Sequence, residues 1–433
     1  MDKKLPYKKL LFKNKLKIIL YPMNSVKSVF VLAYLRSGGV YEKGNQKGIS
    51  HFIEHLCFLG TEKYSSSFKI SKISHNLGAS LNGRTERFKT QYWINLPYIN
   101  LKKGINLLYQ IIFKPLLLEE NIQKEKGVVL SEFYDFWYNP DQKFGYEIWK
   151  RRFENKNHPY NYPVLGNPQT ISNFKKEMVV SWRKKYYNPK NLILTIAGNI
   201  NPKETIKILE ENFGEEKEGE KVREPIFKKI NYSNFCLYHQ EDPRPQIKFA
   251  LTFPAFGWKK ISRKMRIATN LLNYILGGGV ISRLFQRLRE KEKIVYRIES
   301  DFVLYPWMGN LEIWGSVSED KLVLAMRIIK EEIEKILKKG IKEEEIKIVK
   351  NFLSASNLMH FDSPLNIAYF LASQEFNDKE IWLPERYIAE VKKIKKEDLL
   401  DLAKKIFNYS KINIGLLGKI NPQTLKEVKK IFK

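Results

Sequence analysis

Apolar residues along the chain fall into short continuous blocks separated by stretches of helical spacing, and the order of the blocks occurs twice. The first block, VFVLAYL at 29–35, is β-branched and aromatic without a break and reads as a buried strand. Helical patterning begins near Ser50 and returns at 67–76. The strand QYWINLP follows at 91–97, then long amphipathic helices, one of them over 119–137. The second half repeats this with QIKFALTF at 246–253, helical patterning at 265–276 and 281–291, NLEIWGSV at 310–317, and helical patterning through 320–359. Strand, two helices, strand, helices is thus a weak repeat of whole domains, each expected to be a sheet covered by helices. The run GEEKEGEKVREPIFKK, rich in charge with two glycines and a proline, marks the boundary. It divides the chain into domains at 1–216 and 231–433 with a linker at 217–230.

Composition narrows the class. At 433 residues, two domains are the natural expectation. The balance of 76 Lys+Arg against 47 Asp+Glu leaves a formal +29, a charge that can attract polyanions. The basic residues are spread along amphipathic segments, however, with no Arg-rich arm and no zinc-finger spacing. A Lys-rich solvated surface is therefore expected, not a nucleic-acid partner. Two distant cysteines, Cys57 and Cys236, exclude a disulfide framework. The basic start lacks an uninterrupted apolar stretch and reads as a first strand pair, not a signal peptide. No run of about 18 apolar residues exists, so no membrane span is expected, and the protein is read as cytoplasmic.

The chemistry concentrates in His51-Phe52-Ile53-Glu54-His55. On a helix His51 and His55 share one face, close enough for both imidazoles to bind one ion. Glu54 lies on the same side and is placed to take a proton from a water beside the metal. This reverses the order of the H-E-x-x-H zinc helix while keeping its three groups. A catalytic zinc needs a third protein ligand, and Glu125 and Glu132, seven residues apart, project from one helix face. One would ligate and the other orient a ligand from behind. Cys57, two residues past His55, should point away from the metal. The triple glycine Gly277–Gly279 lacks the Lys-Ser/Thr of a phosphate loop.

HFIEH followed by LCFLGT, with E-x₆-E some seventy residues later, resembles the pitrilysin/insulinase family of inverzincin metallopeptidases, in the short form that includes the mitochondrial processing peptidase. SGGVYEKGNQKGISHFIEH, LGASLNGRTERFKTQYWINLP, HPYNYPVLGN and YYNPKNLILTIAGNI are similar to that family's text as well. The resemblance implies one Zn2+ per chain on His51, His55 and Glu132, with Glu54 as the base and Glu125 as the supporting carboxylate. It also implies an edge strand through Asn82 that pairs with the peptide substrate, although the family's usual Asn-Ala is Asn82-Gly83 here and such a pair also suits a turn. In the second half no His or carboxylate occupies LLNYILGGG, and SRLFQRLREKEKIVYRIES supplies Arg289 and Tyr296. By resemblance these hold the substrate backbone and the tetrahedral intermediate, as an oxyanion stabiliser would. Phe285 can line the same pocket or pack in the core. Pattern and resemblance together predict an α+β fold of two homologous sandwich-type domains in tandem duplication, each a mostly antiparallel sheet covered by helices. The implied function is a zinc endopeptidase cutting short or unfolded polypeptides in a clamshell chamber, as a homodimer or as a heterodimer with a zinc-less homologue. The alternative is a catalytically inactive assembly subunit of the same fold.

Overall fold

The computed structural model describes residues 5–155, 158–227, 230–378 and 380–433, so Lys228 and Lys229 of the expected linker lie outside the described residues. Contacts group the chain into two compact units. The first takes residues within 1–136, 162–225 and 359–382, the second those within 137–161, 226–358 and 383–433.

In the first unit six strands form one sheet: β1 (Lys8–Leu11), β2 (Lys17–Pro22), β3 (Ser28–Leu35), β4 (Ser80–Thr85), β5 (Thr90–Pro97) and β6 (Leu192–Gly198). Their order is β1-β2-β6-β3-β5-β4. Only β2 and β6 run parallel; the other pairs are antiparallel, with Val31 opposite both Ile94 and Ile196. β3 is apolar throughout because both of its faces are covered. Phe30, Leu32 and Tyr34 pack against Ile367, Ala368, Leu371 and Phe376 of a helix, Pro364–Asn377, contributed from late in the chain. That helix is also tied by buried Glu375, which Lys17 reaches at 2.7 Å and Lys9 also pairs. The remaining helices of this unit include α1 (Ile49–Leu56), α2 (Ser67–Asn76), α3 (Leu101–Phe113) and α4 (Glu119–Tyr138), and both α1 and α3 contact β5. The amphipathic spacing of α3 buries Leu101, Ile105, Leu108, Ile111 and Ile112.

The second unit's strands are β7 (Cys236–Gln240), β8 (Gln246–Phe256), β9 (Val295–Leu304), β10 (Met308–Ser318) and β11 (Asn413–Leu417). They run in the order β7-β11-β8-β10-β9, with β7 and β11 parallel and the rest antiparallel. This is the permutation β2-β6-β3-β5-β4 over again, so the expected α+β duplication stands. The patterned stretch 320–359 is two helices, Leu322–Lys339 and Glu343–Met359. Gly340 separates them, at φ +75°, where a side chain would be strained. The helical text around 285–291 is a π-helical turn. No helix among the described residues is long and apolar enough to cross a membrane.

Candidate metal centre

α1 is an unusually buried helix: Ile49, Ser50, His51, Phe52, Ile53, Glu54 and Leu56 are all enclosed. It begins at Gly48, whose φ of +91° suits only glycine and whose lack of a side chain leaves the helix without a local cap. The cap comes from Glu42. One carboxylate oxygen accepts from the Gly48 N–H at 2.7 Å and the other from the Ser50 N–H at 3.0 Å. Burial pushes this carboxyl up to about 7, against the pull of the two N–H bonds, the Ser50 side chain and the Lys47 charge.

One turn into the helix the two imidazoles converge, His51 Nε2 lying 3.2 Å from His55 Nε2. Glu132 of α4 brings a carboxylate oxygen 3.7 Å from the first nitrogen and 3.5 Å from the second. Zinc bonds of 2.0–2.1 Å at tetrahedral angles put ligand atoms about 3.3 Å apart, so the triangle is the right size for such an ion. His51, His55 and Glu132 are the group of three His, Cys or acidic residues that could hold a metal among the described residues. The donor set, two nitrogens and one oxygen, suits zinc.

Seven residues before Glu132, Glu125 is buried and meets His55 Nδ1 at 2.8 Å. That contact fixes the tautomer which leaves Nε2 free to ligate. Burial disfavours a proton on His55, but the Glu125 bond and the charges of Glu54, Glu125 and Glu132 prevail and raise its pKa. His51 differs: burial, then the His55 charge, lower it to about 3. Its imidazole is therefore neutral at ordinary pH.

Glu54 points to the edge strand. Its carboxylate accepts from Thr85 Oγ1 at 2.7 Å. Burial raises its pKa, opposed by the Thr85 bond and the His55 charge. A bound dication would work in the opposite direction to burial. Gly83 gives the carboxylate its space, since a Cβ there would lie 3.0 Å from Glu54 Oε1 and from the Phe58 ring. The Asn82-Gly83 pair is strand, not turn: Asn82 faces Trp93 and Gly83 faces Tyr92 in the β4–β5 ladder. Asn82 is exposed, and its side chain accepts from the Gly83 N–H at 2.8 Å. Cys57 follows the helix, buried, with Arg183 Nη1 3.2 Å and the Tyr92 hydroxyl 3.5 Å from its sulfur.

In the second unit Arg289 and Tyr296 are brought together, the guanidinium 4.8 Å from the ring centre, while Arg289 Nη1 donates to the Val295 carbonyl at 3.2 Å. Tyr296 is 74% exposed, available to a ligand. Phe285 and Tyr296 line one cavity of about 480 Å³ with Gly277, Gly278 and Gly279. Thr85 and Glu42 escape a motif reading. Thr85 is legible once β4 is a strand, because positions 83 and 85 then share a face. Glu42 is signalled only by the lack of a capping side chain at position 48.

Comparison with known proteins agrees with this layout. Residues 18–162 match the model described as Insulinase (Peptidase family M16), and residues 173–353 match Peptidase M16 inactive domain. An uncharacterized zinc protease of Rickettsia felis is 33% identical over 92% of this chain and 94% of its own length. The mitochondrial-processing peptidase subunit beta of Bos taurus is 24% identical over 81% of this chain and 72% of its own. A protease from Helicobacter pylori shares the fold with a TM-score of 0.84 at 20% identity, over 96% of this chain and all of that one.

Proposed function

This chain belongs to the insulinase family of peptidases, and from that premise we propose that it is a zinc-dependent endopeptidase acting on short or unfolded polypeptides. The carrying observation is the convergence of His51, His55 and Glu132 at ligand spacing, beside a buried carboxylate, Glu54, that does not belong to the triangle. His51, His55 and Glu132 would hold one zinc ion per chain, with Glu125 fixing His55. Bound there, zinc supplies Lewis acidity and makes a water acidic enough to attack a carbonyl near neutral pH. Glu54 accepts the proton of the attacking water and returns it to the leaving amine. Thr85 holds Glu54 in place for both transfers. Substrate backbone adds to the free edge of β4, the last strand of its sheet, where Asn82 stands exposed.

Arg289 and Tyr296 stabilise the negative charge that develops on the carbonyl oxygen. Phe285 is a wall of the adjoining cavity. We assign these roles across a dimer: the zinc unit of one copy meets the Arg289 unit of another, enclosing a chamber. Both sets in one chain favour a homodimer; a heterodimer with a zinc-less homologue is the variant of this reading, and a relative named as a subunit supports assembly in general. Two unpaired cysteines accord with a cytoplasmic setting.

The test is Glu54→Gln. Zinc content should remain about one per chain while hydrolysis of an unstructured peptide falls by roughly 10²–10⁴. Wild-type turnover in that variant would remove Glu54 from the mechanism. A wild-type protein that binds zinc and cuts no peptide would favour the assembly-subunit reading.

A further inference from the structure

Glu42 is a buried carboxylate that the mechanism above does not use. No Lys or Arg among the described residues pairs with it. Lys47, whose charge acts on it, instead sets its ammonium 3.0 Å from the centre of the Tyr162 ring. Enclosing an acid without a counter-ion is costly, so the groups that do meet it need accounting for. They are the Gly48 and Ser50 N–H groups, at the cap and second positions of α1, together with the Ser50 side chain. Two of the four donors that every helix leaves free at its start are thus taken by one side chain from six and eight residues upstream.

The reason for a remote cap lies at Gly48. A Cβ there would come within 2.7 Å of Gly166 Cα, and one on Gly166 would come within 2.5 Å of the Lys47 carbonyl. Backbone is packed on backbone, both glycines have positive φ, and no residue with a capping side chain fits. Thr170 Oγ1 donates to the Lys47 carbonyl at 2.7 Å, holding the other side of the junction. The helix therefore starts at a fixed place, and among the described residues Glu42 is the side chain that meets its first free N–H donors. The other unit's counterpart, Arg263–Leu276, has an ordinary cap, Ser262 accepting from the Met265 N–H at 3.1 Å.

We propose that Glu42 is a positioning residue for the metal centre, setting the axial and rotational register of α1 that places His51 and His55 against Glu132. One residue of slip turns a helix by about 100°, enough to carry His51 off the ligand triangle. Even a frayed first turn would loosen His51, which sits only three residues into the helix. The carboxylate also lies at the positive end of the helix dipole, which favours the capped state. This inference rests on the zinc reading given above.

The test is Glu42→Gln, which keeps the shape but can accept at only one atom and turns an amide toward the other N–H. Zinc affinity, measured by competition with a chromophoric chelator, should fall about 10–100-fold. The visible spectrum of the cobalt-substituted protein should change with it, and a role confined to general stability would leave that spectrum alone. Ser262→Ala, which uncaps the helix in the other unit, should leave both readouts at wild-type values. Wild-type zinc affinity and cobalt spectrum in Glu42→Gln would overturn the proposal. If that variant does not fold, Glu42→Asp is read instead: its shorter carboxylate should give intermediate affinity, and wild-type affinity would overturn the idea. Failure of the wild-type chain itself to bind zinc would sink the metal reading, a separate result.

Discussion

The two units share a strand permutation and differ where a helix meets the edge strand. In the first, Glu54 of α1 bonds Thr85 of β4 at 2.7 Å. In the second, Ser300 of β9 bonds Asn273 of the helix Arg263–Leu276, also at 2.7 Å. One contact contains an ionisable group and the other is neutral. The same substitution recurs on the long helices. The buried stripe of α4 runs Ile122, Glu125, Val129 and on to Phe133, whereas that of Glu343–Met359 is Ile346, Val349 and Leu353, at the same spacing as the first three. Where α4 buries a glutamate, its counterpart buries a valine. The architecture stands with either, so the buried acidic and imidazole groups of the first unit are not required to build the sheet and its helices.

The largest effect should come from removing a nitrogen of the triangle. His55→Ala is expected to lose zinc on dialysis and to drop peptide hydrolysis by roughly three orders of magnitude or more, within the range ascribed to lost metal-assisted chemistry. Unchanged zinc content would remove His55 as a ligand. Asn273→Ala should leave zinc untouched. The next effect makes the first unit resemble the second: Glu125→Val should weaken zinc binding about 10–100-fold, since His55 Nδ1 loses its partner. The metal-free variant should be less stable than wild type in urea, because His55 is left half-buried without its partner. Tight zinc binding by that variant would show Glu125 to be a bystander.

How far the sequence reveals this contrast depends on distance along the chain. The HFIEH turn and the E-x₆-E pair are local, and helical geometry alone puts each set on one face. Their convergence is not local. It depends on α4 bringing Glu125 and Glu132 up to the histidines of α1, and only the family resemblance pointed to Glu132. Strands such as 29–35 and 310–317 were legible from their apolar positions, whereas the edge strand through Asn82, β4, was expected only from the family resemblance. Its text SLNGRT alternates exposed Ser80, Asn82 and Arg84 with half-buried Leu81, Gly83 and Thr85, so a single apolar residue marks it. The covering of β3 by residues 364–377 is likewise invisible, because an amphipathic helix does not state which sheet it will cover. Glu42 caps from six residues before Gly48, a contact no capping pattern encodes.

A smaller effect separates the two edge-strand contacts. Thr85→Val should leave zinc affinity alone and lower kcat about tenfold, the worth of one hydrogen bond to a charged group at roughly 1.5 kcal/mol. Ser300→Ala should cost about 1 kcal/mol of stability and leave kcat and KM at wild-type values. Loss of kcat in Ser300→Ala would show that the second unit's contact also serves chemistry.

The finest distinction lies in protons. In the metal-free protein His55 has a raised pKa and His51 one lowered to about 3, against an ordinary value near 6.5. A raised imidazole binds its proton more tightly folded than unfolded. His55 therefore stabilises the metal-free fold fully below pH 6.5, and that contribution is lost as pH rises through its folded value. His51 has the opposite sign: as pH falls below 6.5 the unfolded chain takes up a proton that the folded one refuses until near 3. Histidine NMR titration of the metal-free protein should accordingly show His55 titrating above 6.5 and His51 neutral down to about 3. Since a ligating imidazole must give up its proton, zinc binding at pH 6.5 should release more than half a proton per chain from His55. Calorimetry in buffers of different ionisation enthalpy measures that number, and Glu125→Val should reduce it by lowering the His55 pKa. Asn273 and Ser300 have no proton to release, so an unchanged count in Glu125→Val would place the proton on a group outside the ligand triangle.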